Sequence, residues 1–267
     1  IKGVFMIYET PPNYYFRLHH VRPRFKREVE NVLFFIAVNL AELDEMACDE
    51  FRDSFRTILR AYPGNLDVTL KTIDNWRTEI SALFGFIDFD QRTGICRPSR
   101  SAQLLSENNN LIEFFRYFLY NFQYPGGHLR EDYVIAYIRA GIKFKPVEYI
   151  LRLLRYAQGL NNNDFFIDKP ETCHLIFNDL RVTRDNRDVK EVYELILRNR
   201  QNGIEYDSSG DSVRYAGDIM DYMKIAGFLR CDDENHFSLN NSHSDLINHF
   251  IEQNEFFDGY DRLYDQV

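Results

Sequence analysis

No run of about 18 apolar residues occurs in the 267-residue chain, so no stretch is long enough to cross a bilayer as a helix. Glycine and proline are sparse, 13 and 8, which leaves room for long uninterrupted helices. The four cysteines, Cys48, Cys96, Cys173 and Cys231, are scattered with no C-x-x-C pair. That spacing speaks against a structural zinc site or a disulfide framework, and four free thiols suit a reducing cytoplasm. The seven histidines give one adjacent pair, His19-His20, with no third ligand near it and no H-E-x-x-H. No P-loop, G-x-G-x-x-G or G-x-S-x-G is found. The single tryptophan, Trp76, is most simply core. The chain begins at Ile1 rather than Met, as expected of a fragment or a processed product.

What is present is a globular composition, 45% hydrophobic and 27% charged, with many aromatics (23 Phe and 17 Tyr). Its length accommodates one to three domains. Net charge is −9 but unevenly spread. Asp232–Val267 carries nine carboxylates and one Arg, which leaves the rest of the chain near neutral. Ile1–Glu30 carries six basic residues and three acidic ones. A basic start against an acidic end keeps a nucleic-acid partner open, because local fields matter more than the total.

Residues 1–28 read as an arm in which Pro11-Pro12 breaks regular structure and "RLHHVRPRFKR" concentrates charge. "VENVLFFIAVNLAEL" is apolar almost all round and predicts a buried helix. "DEFRDSFRTILRAY" places Phe51, Phe55, Ile58 and Leu59 on one face, and Pro63–Asn65 is a turn. Leu70, Ile73, Trp76, Ile80, Leu83 and Phe84 recur at helix spacing, Gly85 ends that helix, and "FIDFDQRTGICRP" alternates as a hairpin. Helix, turn, helix, hairpin is the order of a winged helix-turn-helix. Further on, "AGFLRCDDENHFSL" parallels "LFGFIDFDQRTGICRP", so helix-Gly-hairpin occurs twice, roughly 140 residues apart. Asp168 is expected as an N-cap, with Pro170 in the first helical turn after it.

A helix fits the major groove of B-DNA and presents the residues of its first turns to base edges. In the first module those residues are Lys71, Thr72, Asp74, Asn75, Arg77 and Thr78. Asn can bond adenine in bidentate fashion, Lys and Arg can bond guanine, and Asp can accept from cytosine. In the second module they are Ser209, Asp211, Ser212, Arg214, Tyr215 and Asp218. The arm offers Arg17, His19, His20, Arg22, Arg24 and Lys26. The segment after the first hairpin offers Arg97, Ser99 and Arg100 for phosphate. The acidic second hairpin, "CDDENH", would repel phosphate, so either it faces away from DNA or the second module is structural. Protein docking and plain solvation are the competing readings of every one of these polar faces. A metal-dependent nuclease needs carboxylates to hold Mg²⁺ and a Lys to orient water. Asp168-Lys169 is the nearest approach, but Pro170 comes directly after it and the strand context is poor, so chemistry is expected outside the chain.

"KTIDNWRTEISALFGF", "RPSRS", "FFRYFLYNFQYPGG", "GIKFKPVEYILRLL" and "AGFLR" resemble the BpuJI-like recognition domains, the N-terminal part of a type IIS restriction endonuclease. The resemblance runs from about Phe16 to Tyr264 and is loosest between Asp164 and Ser212. It implies a mainly α fold with small β-hairpin wings. Two winged-helix subdomains, 29–110 and 161–267, would be joined by a helical linker subdomain, 111–160. It also implies that double-stranded DNA is read in the major groove by the arm and both helix-turn-helix units. A C-terminal nuclease domain needing Mg²⁺ would lie outside the chain. The fragment itself is expected to be cofactor-free, monomeric and cytoplasmic. A transcription regulator or docking module with no nuclease attached is the rival from another class.

Overall fold

A computed structural model describes residues 6–19, 29–62, 80 and 83–260. By contacts the chain forms two compact units. The smaller comprises 20–114 with 127–129, and the larger comprises 1–19, 115–126 and 130–267. Residues on both sides of the expected boundary between 111–160 and 161–267 belong to the larger unit. The first strand, β1 (Met6–Ile7), also belongs there.

In the smaller unit, helix α1 (Val29–Ala41) leads to the short strand β2 (Met46–Ala47) and helix α2 (Cys48–Ala61). Ile80, Leu83 and Phe84 are helical, and Gly85 comes next at φ 62°. That conformation is cheap only without a Cβ, so the glycine ends the helix and turns the chain into a hairpin. The hairpin strands are β3 (Ile87–Asp90) and β4 (Ile95–Pro98), and β2 adds to β4, giving the order β2-β4-β3. Phe89 faces Cys96 and Asp88 faces Arg97 in the register. Helix α3 (Arg100–Asn108) comes next and packs on α1.

The core of this unit is Val32, Leu33, Ile36 and Leu40 of α1, Phe51, Phe55 and Leu59 of α2, with Ile80, Phe84, Phe86 and Leu105. Helix α1 is not buried all round, because Val38 is exposed. Phe89 of the hairpin is exposed as well. The largest departure from expectation is chemical. Cys48, at the start of α2, is disulfide-bonded to Cys96 in β4. Forty-eight residues separate them, so their spacing carries no sequence signal, and the expectation of four free thiols is corrected for this pair. Cys173 and Cys231 remain free.

Helix α4 (Leu111–Asn121) begins in the smaller unit and continues in the larger. The larger unit then runs through α5 (Glu131–Arg139) and α6 (Pro146–Gly159). Helix α6 is its centre, burying Val147, Tyr149, Ile150, Leu151, Leu153, Leu154 and Ala157. Short helices α7 (Lys169–Thr172) and α8 (Leu180–Thr183) flank a π-helical turn at Cys173–Phe177. Asp168 caps α7 in a reciprocal capping box with Glu171, and Pro170 lies in the first turn, as the sequence predicts.

Helix α9 (Val189–Gln201) packs on α6 and precedes the strand β5 (Ile204–Glu205) and helix α10 (Asp211–Ile225). Gly227, at φ 78°, ends this stretch as Gly85 ends its counterpart. The antiparallel pair β6 (Leu229–Cys231) and β7 (Phe237–Leu239) comes after it, so helix-Gly-hairpin does occur twice. Helix α11 (Ser244–Gln253) then closes against α6. The second hairpin lacks a third strand among the described residues. The strand before its helix, β5, pairs instead in parallel with β1. No described helix is long and apolar enough to cross a membrane.

Candidate nucleic-acid interface

In the smaller unit, the predicted reading residues Lys71, Thr72, Asp74, Asn75, Arg77 and Thr78 lie outside the described residues, as does Trp76. Immediately after them, Ile80, Leu83 and Phe84 are buried, so the C-terminal end of that segment is rooted in the core. On the adjacent hairpin, Arg97 is exposed and 3.7 Å from Asp88 directly across the strand pair. Arg100 opens α3 and reaches Glu107 at 3.3 Å. Both pairs are solvated, and such pairs are worth at most about 1 kcal/mol, so either guanidinium can exchange its partner for a phosphate at little cost. Ser99 differs. It is buried, and its Oγ accepts from the Ala102 N–H, capping α3.

In the larger unit, residues 6–19 run as a strap. Strand β1 pairs with β5, the Thr10 hydroxyl donates to the His174 carbonyl at 3.0 Å, and the Phe16 N–H donates to the Asn178 carbonyl at 3.1 Å. Leu18 is buried. The strap delivers Arg17 and His19 to the first turn of α10. The Arg17 guanidinium lies 4.0 Å from the Asp211 carboxylate and 5.8 Å from the centre of the Tyr215 ring. Its Nε is buried with no hydrogen-bond partner among the described residues. His19 stacks on Tyr133 of α5 with ring centres 4.8 Å apart, and the Tyr215 ring is 6.0 Å away and tilted by 55°. The remaining basic residues predicted for the arm, His20, Arg22, Arg24 and Lys26, lie outside the described residues.

Arg17, His19, Asp211, Arg214 and Tyr215 therefore converge at one helix start, although they lie almost 200 residues apart in sequence. Ser212 sits in the same turn, half-buried, and Asp218 is half-buried two turns on. Burial, and then the charge of Arg17, lower the His19 pKa, so the imidazole is neutral at neutral pH and stacks without a charge. Burial raises the Tyr215 phenol, with Asp211 adding to the effect. Tyr133 and Arg130 complete the cluster, with the Arg130 guanidinium 5.1 Å from the centre of the Tyr133 ring. Sequence reading missed both. Nothing in the local pattern of α5 marks Tyr133, because its partner His19 lies more than a hundred residues earlier.

The acidic hairpin loop is organised from within. One Asp232 carboxylate oxygen accepts the backbone N–H groups of Glu234 and His236, both at 2.9 Å, and the other meets His236 Nδ1 at 3.0 Å. The His236 ring stacks on Phe166 at 3.8 Å. Asp168 and Lys169, weighed above as a nuclease pair, hold other posts. Asp168 caps α7, and Lys169 Nζ lies 2.8 Å from an Asp221 carboxylate oxygen. Among the described residues no three His, Cys, Asp or Glu side chains are gathered as metal ligands would be.

Comparison with known proteins gives three findings. The family described as restriction endonuclease BpuJI, N terminal, matches residues 8–267. A solved structure, the crystal structure of pyrene- and phenanthrene-modified DNA in complex with the BpuJ1 endonuclease binding domain, is similar at 27% identity with a TM-score of 0.79. The match covers 91% of this chain and 87% of that one. No curated protein matches the chain.

Proposed function

Because the chain belongs to the family of BpuJI-type restriction endonuclease N-terminal domains, we propose that it is the DNA-recognition part of a type II, IIS-like enzyme. It reads a short asymmetric site in double-stranded DNA, as a monomer, and the nuclease that cuts lies in another part of the parent protein. Mg²⁺ belongs to that nuclease and not to this chain. Such an enzyme meets its DNA in the bacterial cytoplasm.

The observation that carries the reading is the convergence at the start of α10, in a chain whose similar solved structure is a binding domain in complex with DNA. An exposed helix start flanked by Arg17, His19 and Arg214 has the shape and donors that enter a major groove. The smaller unit supports a winged-helix reading through its element order and its β2-β4-β3 sheet. We assign the first reading head to Lys71–Thr78, the second to Ser212–Asp218, and further groove contacts to Arg22, Arg24 and Lys26. Arg97 and Arg100 contact phosphate, and the Asp232 loop faces away from the duplex.

The test is selection of bound sites from a random duplex pool, run with methylated and unmethylated DNA. A single short asymmetric site is expected. Binding with no base preference, or no binding at all, would remove the proposal.

A further inference from the structure

One acidic side chain stands among the cations at the start of α10. Asp211 is the first residue of that helix, and its side chain is 58% exposed. Its two carboxylate oxygens face different guanidiniums. Oδ2 lies 4.0 Å from Arg17 on the strap, and Oδ1 lies 3.4 Å from Arg214 one turn along α10. Capping does not explain the carboxylate, because the N-cap residue is Gly210 and makes no side-chain cap. The elements that carry these groups are anchored. Arg17 sits between Phe16, whose N–H donates to the Asn178 carbonyl, and the buried Leu18, while buried Val213 and Ala216 root the first turns of α10. All of these residues belong to the larger unit.

We propose that Asp211 is a specificity-determining residue that sets base reading against plain phosphate binding at the start of α10. The proposal rests on the DNA-recognition reading above. Both ion pairs are long and solvated, so they part at little cost. A phosphate that draws Arg17 and Arg214 away leaves the Asp211 carboxylate beside a second negative charge, and the anchored helix keeps it there. That approach is penalised on any sequence. A base edge is different. The exocyclic amino group of cytosine gives the carboxylate an N–H donor and releases both guanidiniums to a phosphate or a guanine nearby. The same side chain thus weakens contact with random duplex and strengthens contact with a site that offers an amino group in the right place. Discrimination then comes from repelling the wrong contact as well as from making the right one. Without the carboxylate, the two guanidiniums would bind phosphate more tightly and distinguish sequences less.

The experiment compares binding to the duplex that wild type selects from a random pool with binding to random duplex, each at several salt concentrations. The proteins are wild type, Asp211→Asn, Asp211→Ala, and the double variant Arg17→Gln with Arg214→Gln, made with and without Asp211→Asn. Asp211→Asn keeps the shape of the side chain, and Asp211→Ala removes its hydrogen bonding as well. Both are expected to bind random duplex about tenfold more tightly, with a salt slope steeper by about 0.9 for one more phosphate neutralised. Neither is expected to gain on the selected site, so the preference for that site falls by about tenfold or more. With both guanidiniums replaced, Asp211→Asn should lose most of its gain on random duplex. No gain on random duplex, an equal gain on both duplexes, or a gain that persists in full without the guanidiniums overturns the role of Asp211. A wild type that selects no site overturns the DNA-recognition reading itself, and the role of Asp211 with it.

Discussion

Replacing Arg200 with Met should destabilise the larger unit by about 3 kcal/mol. The Arg200 guanidinium makes two bonds of 2.7 Å to the Glu171 carboxylate and one of 2.8 Å to the Phe166 carbonyl, and it stacks over the Phe166 ring at 4.0 Å. The Glu171 side chain is 4% exposed and that of Arg200 is 27% exposed. Removing one partner of a buried pair costs about 3–5 kcal/mol, because the other charge is stranded. Partial exposure of Arg200 places this pair at the lower end. Met keeps most of the apolar stem, so the loss is that of charge and hydrogen bonds rather than volume. For a chain of this length about 3 kcal/mol corresponds to a fall in Tm of about 6–12 °C.

The pH dependence has a definite sign. Burial raises the Glu171 pKa above its ordinary 4.5, and Arg200 works against that rise. Without Arg200 the folded-state pKa is raised further above the unfolded one, so the native state binds the proton more tightly than the unfolded state. The penalty is then full above the folded pKa and shrinks as pH falls toward 4.5. Thermal melts of both proteins from about pH 7 to about pH 5 should show the gap narrowing. Adding Glu171→Gln, which removes the stranded charge, should recover about 2 kcal/mol at neutral pH. A single variant within about 1 kcal/mol of wild type, or a double variant no more stable than the single, refutes the reasoning.

Reduction of Cys48–Cys96, or Cys48→Ser with Cys96→Ser, should destabilise the smaller unit by up to about 4 kcal/mol, the loop-closure value for a 48-residue separation. Melting with and without a thiol reductant checks this, and an unchanged curve counts against any stabilising role for the bond. Asn75→Ala and Arg24→Ala should each cost about 1–3 kcal/mol on the selected site and little on random duplex, measured by titration at fixed salt. Equal losses on both duplexes would leave these residues a phosphate role only.

The two hairpins were legible because their signals are local. Gly85 and Gly227 must take positive φ, and an alternating segment comes after each of them. The Asp168 cap was legible for the same reason: the capping box spans four residues. Which face of the first hairpin is covered was not legible: alternation shows which residues share a face of a strand, but what covers that face depends on elements far away in sequence, and Phe89 is exposed.

Length, charge distribution, helix ends and the repeated helix-Gly-hairpin order are therefore determined by the sequence itself, since each is set by neighbours within a few residues. The tertiary structure decided three other things. It joined Cys48 to Cys96, paired β5 with β1 where the repeat would place it beside the second hairpin, and brought Tyr133 and Tyr137 to His19. Each of these depends on closing a loop of 48 residues or more, and no local pattern encodes where such a loop will close.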